Sequence, residues 1–377
     1  MTVAVTTESI HAAMGAAEQI RSLLYMKPNG IGSWGTRGDL MGLLVRLPFH
    51  DAATFNPNLL NISGNMDIGG SDGCVDLTSS ENNGLEEAIN LLEPIRLNHS
   101  FEYEGEGNFT TTEYLSRADF WVLAGNVMME EAGSYPLDYH MGRVDVEDCA
   151  GQGARHIDGE SKSSTAIAET FVDKLGLTHR EVVSLIGAHV LGKATLAVSG
   201  YEGKWVRRND RFTNKYFVDL VHEPWVKERL NIPGFGSRTT WHRAVDGTML
   251  LEDEIMLQTD VDLAFQTTGG PSCFRVGGIY RPTSSCPNAT HGFVDHAYDF
   301  VLDEDAWKSE FVVAWSKLVT KSPVHEQLSC VLANCKTPTI VNAKTLNASQ
   351  SKASTDFTNF QFSLVLGVLV VSSFVFF

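Results

Sequence analysis

Hydrophobic and polar positions along most of this chain repeat with the period of an α-helix. Between residues 8 and 24 the apolar residues Ile10, Met14 and Ala17 lie near one helical face. Comparable helical patterns cover residues 81–96, 114–133, 166–175 and 293–318. Long stretches of strict alternation, which would indicate strands, are scarce. The pattern therefore predicts a mainly α protein.

A histidine at the end of one predicted helix is the first candidate for chemistry. Thr178 and Glu181 fit a capping box, and an apolar run over residues 182–186 follows them. The run ends at Gly187, Ala188 and His189. Small neighbours leave room for a broad, flat group against the imidazole, and haem is one candidate because histidine is a common ligand of its iron. The alternative is a buried, hydrogen-bonded histidine.

A cation and a second imidazole share one face of an earlier helix. Arg46 and His50 are four residues apart, and Leu43, Leu44 and Leu47 can anchor that helix in a core. Heterolysis of a peroxide O–O bond needs such a pair, since an imidazole can move the proton and a guanidinium can stabilise the developing negative charge. On its own the spacing is more typical of a surface pair.

Two motifs together carry a family resemblance. RLPFHDA and REVVSLIGAHVLGKA resemble the plant–fungal–bacterial haem peroxidase superfamily. Within it, GAHVLGKATLAVSGYEGKW, FTNKYFVDLVHEPW and NNGLEEAINLLEPIR are most similar to class I cytochrome c peroxidases and hybrid ascorbate–cytochrome c peroxidases. The similarity runs from about residue 8 to residue 321. It implies an all-helical peroxidase fold that holds haem b between a distal and a proximal helical half.

The resemblance also implies an activity and its distal residues. Such enzymes reduce hydrogen peroxide to water through a ferryl intermediate while they oxidise an external organic or protein electron donor. Arg46 and His50 match the distal catalytic pair, and Asn82 matches the asparagine that accepts a hydrogen bond from His50. Phe49 would lie over the distal face of the haem, where cytochrome c peroxidase has tryptophan.

On the proximal side the resemblance assigns three residues. His189 would bind the haem iron, and Asp260 would accept the other N–H of its ring. Trp205 follows His189 by 16 residues, the spacing of a tryptophan that becomes a cation radical in cytochrome c peroxidase. In ascorbate peroxidases a bound cation discourages that radical. The matching positions here are unsuited to a cation: Val190, Val206, Arg208 and Thr213.

A calcium site is a further expectation from the secreted members of the superfamily. Asp51, Gly70 and Asp72 match their calcium-binding positions. Cys74 replaces a serine, and thiol sulfur is a poor calcium ligand. The alternative is an acidic surface loop.

The positions that bind known electron donors in the superfamily are altered. The basic pair of ascorbate peroxidases falls at Leu40 and Val198, and acidic manganese ligands fall at Leu43 and Thr195. We therefore expect neither an ascorbate nor a manganese site. The alternative function is a non-catalytic, haem-binding cell-surface or adhesion protein. That alternative predicts the loss of a distal arginine or histidine, and the sequence has both.

Composition narrows the partners and the compartment. The formal net charge of −17 argues against nucleic acid as a partner. We also expect a monomer. We expect three disulfides, with free thiols as the alternative: Cys273–Cys286, Cys330–Cys335 and Cys74–Cys149. Disulfides are typical of a secretory environment, and five glycosylation sequons favour it too: Asn61, Asn98, Asn108, Asn288 and Asn347.

The end of the chain suggests a membrane anchor. We divide the chain into a peroxidase domain over residues 1–321 with an insertion at about 269–291, a polar stalk over 322–361 and a hydrophobic tail over 362–377. The tail fits a GPI signal, with a transmembrane tail as the alternative. We expect a cell-surface or secretory location although no signal peptide is visible, and an intracellular tail-anchored protein is the alternative.

Overall fold

The computed structural model describes the greater part of the first of two units, Met1–Pro338. The described residues are 5–25, 35–57, 68–102, 108–149, 168–245, 249–265, 274–275, 279–280, 292–321 and 328–332. The second unit, Thr339–Phe377, lies outside them. In the described part no helix has the length and apolar character needed to cross a membrane.

Helices dominate the described residues, as the sequence predicts. The α-helices are α1 (Thr7–Ser22), α2 (Arg37–Ala53), α3 (Leu85–Asn98), α4 (Thr111–Tyr114), α5 (Arg117–Ala132), α6 (His179–Ile186), α7 (Leu196–Ser199), α8 (Lys215–His222), α9 (Gln258–Ala264), α10 (Val294–Leu302) and α11 (Glu304–Val319). Short 3₁₀ turns occupy Leu23–Tyr25, Ser80–Asn82 and Gly187–Val190, and a π-helical segment covers Ala168–Lys174. The mainly α fold class is confirmed.

Helix α2 forms one wall of the core. Thr36 and Asp39 make a capping box at its start, with the Thr36 Oγ1 accepting from the Asp39 N–H at 3.2 Å. Pro48 lies inside the helix and is buried. A Cβ placed on Gly125 of α5 would lie 2.8 Å from the Pro48 ring, so the two helices approach closely at this point. This contact gives Pro48 a packing role.

Helix α6 begins and ends as the sequence indicates. The Glu181 carboxylate accepts from the Thr178 N–H at 2.7 Å, and Thr178 Oγ1 accepts from the Glu181 N–H at 3.1 Å. The 3₁₀ turn that follows carries His189. A Cβ on Gly187 would lie 2.7 Å from the indole nitrogen of Trp307, which is fully buried. Packing against Trp307 therefore requires the glycine.

The sequence did not predict an antiparallel β-sheet of five strands, of which three precede Asp260 and two follow it. The strands are β4 (Trp225–Ile232), β5 (Gly236–Val245), β6 (Met249–Leu257), β7 (Phe274–Arg275) and β8 (Ile279–Tyr280). They pair in the order β6-β5-β4-β8-β7. Only the first residue of β4 is buried, and charged residues follow it. The alternation of apolar and polar residues that would indicate a strand is therefore interrupted. Strand β6 runs directly into α9, which carries Asp260.

Two small sheets complete the described fold. Strands β1 (Ser100–Glu102) and β2 (Asn108–Thr110) form a hairpin. Strand β3 (Tyr139–Met141) pairs with β9 (Ser329–Leu332). This pairing places residues 329–332 against β3. The stalk expected from residue 322 stays a prediction. Most of the expected insertion at 269–291 lies outside the described residues.

The backbone of α2 touches the loop that follows His189. A Cβ on Gly42 would lie 2.5 Å from the Gly192 Cα. Nearby, the Asn209 side-chain amide donates to Asp39 Oδ1 at 2.8 Å and to the Gly192 carbonyl at 2.9 Å. These contacts fix the helix of His50 relative to the loop after His189.

We expect Gly42→Ala to lower the free energy of unfolding. The added methyl group must displace backbone, which costs about 1–3 kcal/mol. This exceeds the about 0.5–1 kcal/mol that alanine gains over glycine within a helix. Denaturant unfolding measures the difference, with Val313→Ala on the exposed face of α11 as a control that should change little. A Gly42→Ala protein as stable as the wild type would contradict the close contact.

Candidate active site

One face of α2 stays partly open although most of the helix is buried. Leu43, Arg46, Phe49 and His50 are partly exposed, at the spacing of a single helical face. The Phe49 ring lies 6.0 Å from the ring of His50 and 6.0 Å from that of Phe171. The structure thus places three predicted distal residues side by side.

A hydrogen-bond chain sets the tautomer of His50. Its Nδ1 lies 2.9 Å from Asn82 Oδ1, and the Asn82 amide donates to the Asp76 carbonyl at 2.9 Å. Because the amide nitrogen is already a donor to Asp76, the amide oxygen faces His50 and must accept. The His50 Nδ1 therefore carries the proton, and Nε2 of the neutral ring carries the basic lone pair.

The Arg46 guanidinium is held by backbone carbonyls. Its two terminal nitrogens donate to the Asn83 carbonyl at 2.8 Å and to the Glu81 carbonyl at 2.7 Å. Burial lowers the pKa of Arg46 to about 10, with the charge of Glu86 opposing the shift. The group remains a cation at neutral pH, and the turn that holds Asn82 also positions it.

The proximal residues meet at one carboxylate. His189 Nδ1 donates to Asp260 Oδ1 at 2.9 Å, and Trp205 Nε1 donates to Asp260 Oδ2 at 2.7 Å. The rings of His189 and Trp205 stack with centroids 4.3 Å apart and planes 18° apart. The structure therefore brings all three predicted proximal residues into direct contact.

Asp260 is fully buried and has two further donors. The Tyr216 hydroxyl donates to Oδ1 at 2.8 Å, and the Leu257 N–H donates to Oδ2 at 2.7 Å. Burial alone would raise the pKa of Asp260, but His189 and the hydrogen bonds outweigh it and lower the pKa. Burial and the neighbouring Asp260 raise the pKa of Tyr216 well above its ordinary value, so the phenol keeps its proton.

The proximal histidine is arranged as a metal ligand. Since Nδ1 donates to Asp260, the lone pair of the neutral ring lies on Nε2, the atom that would bind iron. The His189 side chain is 36% exposed, whereas Asp260 beneath it is fully buried. A partly open imidazole on a buried anionic support, with Ala188 and Phe49 also partly open, fits a planar haem.

The predicted calcium positions Asp51, Gly70 and Asp72 are buried. The Asp51 carboxylate accepts from the Gly73 N–H at 2.9 Å and the Cys74 N–H at 3.1 Å. Asp72 is also buried, and burial raises the pKa of Asp51 to about 7. Within the described residues, no group of three or more side chains of histidine, cysteine, aspartate or glutamate could hold a metal ion. Gly70 donates its N–H to Thr54 at 2.9 Å.

One predicted disulfide is confirmed. Cys74 and Cys149 are bonded, with Cα atoms 5.3 Å apart, so the sulfur of Cys74 is unavailable as an ion ligand. Cys330 is also disulfide-bonded. The other predicted partners fall outside the described residues: Cys273, Cys286 and Cys335.

Sequence reasoning missed two contributors to the site. Tyr216 lies 44 positions from Asp260, in a helix whose apolar pattern gave no reason to single out its hydroxyl. Asp76 contributes only its carbonyl, which any residue type could provide. The motif FTNKYFVDLVHEPW contains Tyr216 and was the available signal for it.

Comparison with known proteins identifies the family. The profile of the family described as Peroxidase matches residues 31–271. The chain belongs to the peroxidase family. The match includes all the distal and proximal residues described above.

Individual relatives cover parts of the chain. A provisionally named heme-binding peroxidase of Pyricularia oryzae is 31% identical over 63% of this chain and 72% of its own length. One of Debaryomyces hansenii is 32% identical over 60% of this chain, which spans only 47% of that protein. The mitochondrial cytochrome c peroxidase of Candida glabrata is 32% identical over 50% of this chain and 48% of its own length.

Removal of the Cys74–Cys149 disulfide should destabilise the fold. The bond closes a loop with a sequence separation of 75, and loss of a native disulfide typically costs about 2–5 kcal/mol. Denaturant unfolding of Cys74→Ala, Cys149→Ala and the double variant measures the loss. Because each single change breaks the same bond, the double variant should lose little more than either. Additive losses would show that side-chain packing, rather than the cross-link, matters.

Proposed function

We propose that this protein is a haem peroxidase, which reduces hydrogen peroxide to water with electrons from an external donor. The observation that carries the proposal is the pairing of two oriented histidines in one fold. His50 is held by Asn82 beside Arg46, and His189 is held by Asp260. Family membership and the names of the relatives support the same activity.

We assign haem b to the space bordered by these residues. His189 Nε2 would bind the iron, and Phe49 would border the opposite face. When bound, the haem supplies the redox chemistry that accepts electrons from the donor and passes them to peroxide. The charge on Asp260 strengthens electron donation from the His189 ring, which favours oxidised iron.

His50 moves the proton in this proposal. Its Nε2 takes the proton from one peroxide oxygen and returns it to the other, which leaves as water. The Asn82 hydrogen bond keeps Nε2 as the acceptor by holding the proton on Nδ1. Arg46 stabilises the negative charge that develops on the leaving oxygen. Because two carbonyls already orient the guanidinium, little reorganisation accompanies the step.

We propose Trp205 as a relay for one electron. Its ring stacks on His189, and its N–H donates to the Asp260 carboxylate. A nearby negative charge stabilises a cation radical on the indole. The positions that would hold an opposing cation in ascorbate peroxidases are unsuitable here, for example Val190 and Val206, which are both fully buried.

The electron donor is proposed by class, as an organic molecule or a protein. Leu40 and Val198 argue against an ascorbate site, and Leu43 and Thr195 argue against a manganese site. A non-catalytic haem-binding surface protein is the weaker alternative, because it would not need an oriented distal pair.

Three further proposals rest on the sequence. They are anchoring through residues 362–377, a location at the cell surface or in the secretory pathway, and glycosylation. Calcium binding at Asp51, Gly70 and Asp72 also stays a prediction. An unchanged melting temperature after chelation of calcium would reject that site.

We expect His50→Leu to slow the reaction with peroxide without loss of haem. General acid–base catalysis by a positioned side chain contributes about 10²–10⁴-fold, and leucine cannot move a proton. Stopped-flow spectroscopy of the haem-loaded protein measures the rate. His99→Leu is a matched control, since this partly buried histidine donates to or accepts from Thr111 rather than lying in the site. An unchanged rate in His50→Leu would reject the assigned role.

We expect Trp205→Phe to abolish a tryptophan radical after peroxide treatment. Phenylalanine keeps the stacked ring but is much harder to oxidise and cannot donate to Asp260. Freeze-quenched electron paramagnetic resonance detects the radical. The control is Trp315→Phe, which removes another buried indole, bonded to Asn126 Oδ1 at 2.7 Å. A tryptophan signal that persists in Trp205→Phe but disappears in Trp315→Phe would place the radical on Trp315 and contradict the proposed role of Trp205.

A further inference from the structure

Tyr216 contacts the same carboxylate oxygen that orients the iron-binding histidine. Its hydroxyl donates to Asp260 Oδ1 at 2.8 Å, and His189 Nδ1 donates to that atom at 2.9 Å. The two donors therefore compete for the electron density of one oxygen. No step of the proposed reaction yet uses this hydroxyl.

The Asp260 carboxylate is fully occupied by donors. A carboxylate offers about four lone-pair sites. Here Oδ1 accepts from His189 and Tyr216, while Oδ2 accepts from Trp205 and the Leu257 N–H. Each added donor withdraws negative charge from the oxygens and makes the carboxylate a weaker acceptor for the others. The strength of the Asp260–His189 bond therefore depends on whether Tyr216 donates.

Packing holds Tyr216 in this position. The residue lies in α8 and is fully buried. Its ring meets the His189 ring edge-on, with centroids 6.0 Å apart and planes 72° apart, and meets the Phe217 ring 5.0 Å away. Phenylalanine would keep these ring contacts and lose only the hydroxyl. Tyrosine is therefore needed at this position for its hydrogen bond rather than for its shape.

We infer that Tyr216 is a positioning residue that weakens the hydrogen bond between His189 and Asp260 and so sets the reduction potential of the bound haem. With the hydroxyl present, the His189 ring is less anionic and donates fewer electrons to iron. Oxidised iron is then stabilised less than it would be by Asp260 with three donors. The inference rests on the proposed function, because it requires His189 to bind haem iron.

The test compares three variants of the full, haem-loaded chain. In Tyr216→Phe, three donors keep Asp260 ionised, and the carboxylate pulls harder on His189. Spectroelectrochemical titration should show a more negative Fe(III)/Fe(II) potential than in the wild type. Resonance Raman of the ferrous protein should show a higher iron–histidine stretching frequency. Asp260→Asn removes the charge and should shift both quantities in the opposite direction, which calibrates the sign.

Tyr139→Phe is the matched control. It removes another buried hydroxyl, which donates to the Asp119 carbonyl at 2.9 Å. The potential and the stretching frequency should stay at wild-type values in this variant. A general effect of removing any buried tyrosine hydroxyl would change both variants alike and would overturn the inference.

Two outcomes separate this inference from the proposed function. An unchanged or more positive potential in Tyr216→Phe, in a wild-type background that consumes peroxide, overturns the role of Tyr216 alone. A wild-type protein that binds haem through His189 but does not consume peroxide overturns the proposed activity, while the shift in potential still tests Tyr216. A wild-type protein that binds no haem at His189 overturns both.

Discussion

The buried charge of Asp260 is the constraint on which the proximal half depends. A carboxylate removed from water is costly unless hydrogen bonds replace its hydration. Four donors do so here, and they come from the turn after α6, the segment that contains Trp205, helix α8 and the end of β6. Solvation of one anion therefore holds together four separate parts of the chain.

The distal half has a different requirement, because it must position a cation and a basic nitrogen that both stay partly exposed. Backbone carbonyls provide most of the support. The turn around Asn82 supplies two acceptors for Arg46 and the amide oxygen that orients His50. Since α2 also contacts the loop after His189 through Gly42 and Gly192, the two halves are fixed at their shared edge. In the proposed mechanism, this arrangement separates proton transfer on the distal side from electron supply on the proximal side.

The parts of this site that sequence could predict are those with fixed local spacing. Arg46 and His50 share a helical face, and the capping box at Thr178 locates the turn of His189. Family resemblance supplied Asn82, Trp205 and Asp260. The role of Tyr216 was not predicted because its partner, Asp260, is distant in the chain. Strands β4 to β6 were not predicted because their exposed positions carry mixed charges. Strand β9 was not predicted because such a short strand gains its stability from pairing with β3 rather than from its own pattern.

The most direct test is to mix the haem-loaded full chain with one equivalent of hydrogen peroxide and follow its visible spectrum by stopped flow. The account predicts a rapid change of the haem bands that is first order in peroxide and is complete near one equivalent. Reversal by an added electron donor would complete a turnover. A protein that retains haem at His189 yet shows an unchanged spectrum would contradict the central claim that the two oriented histidines form a peroxidase site.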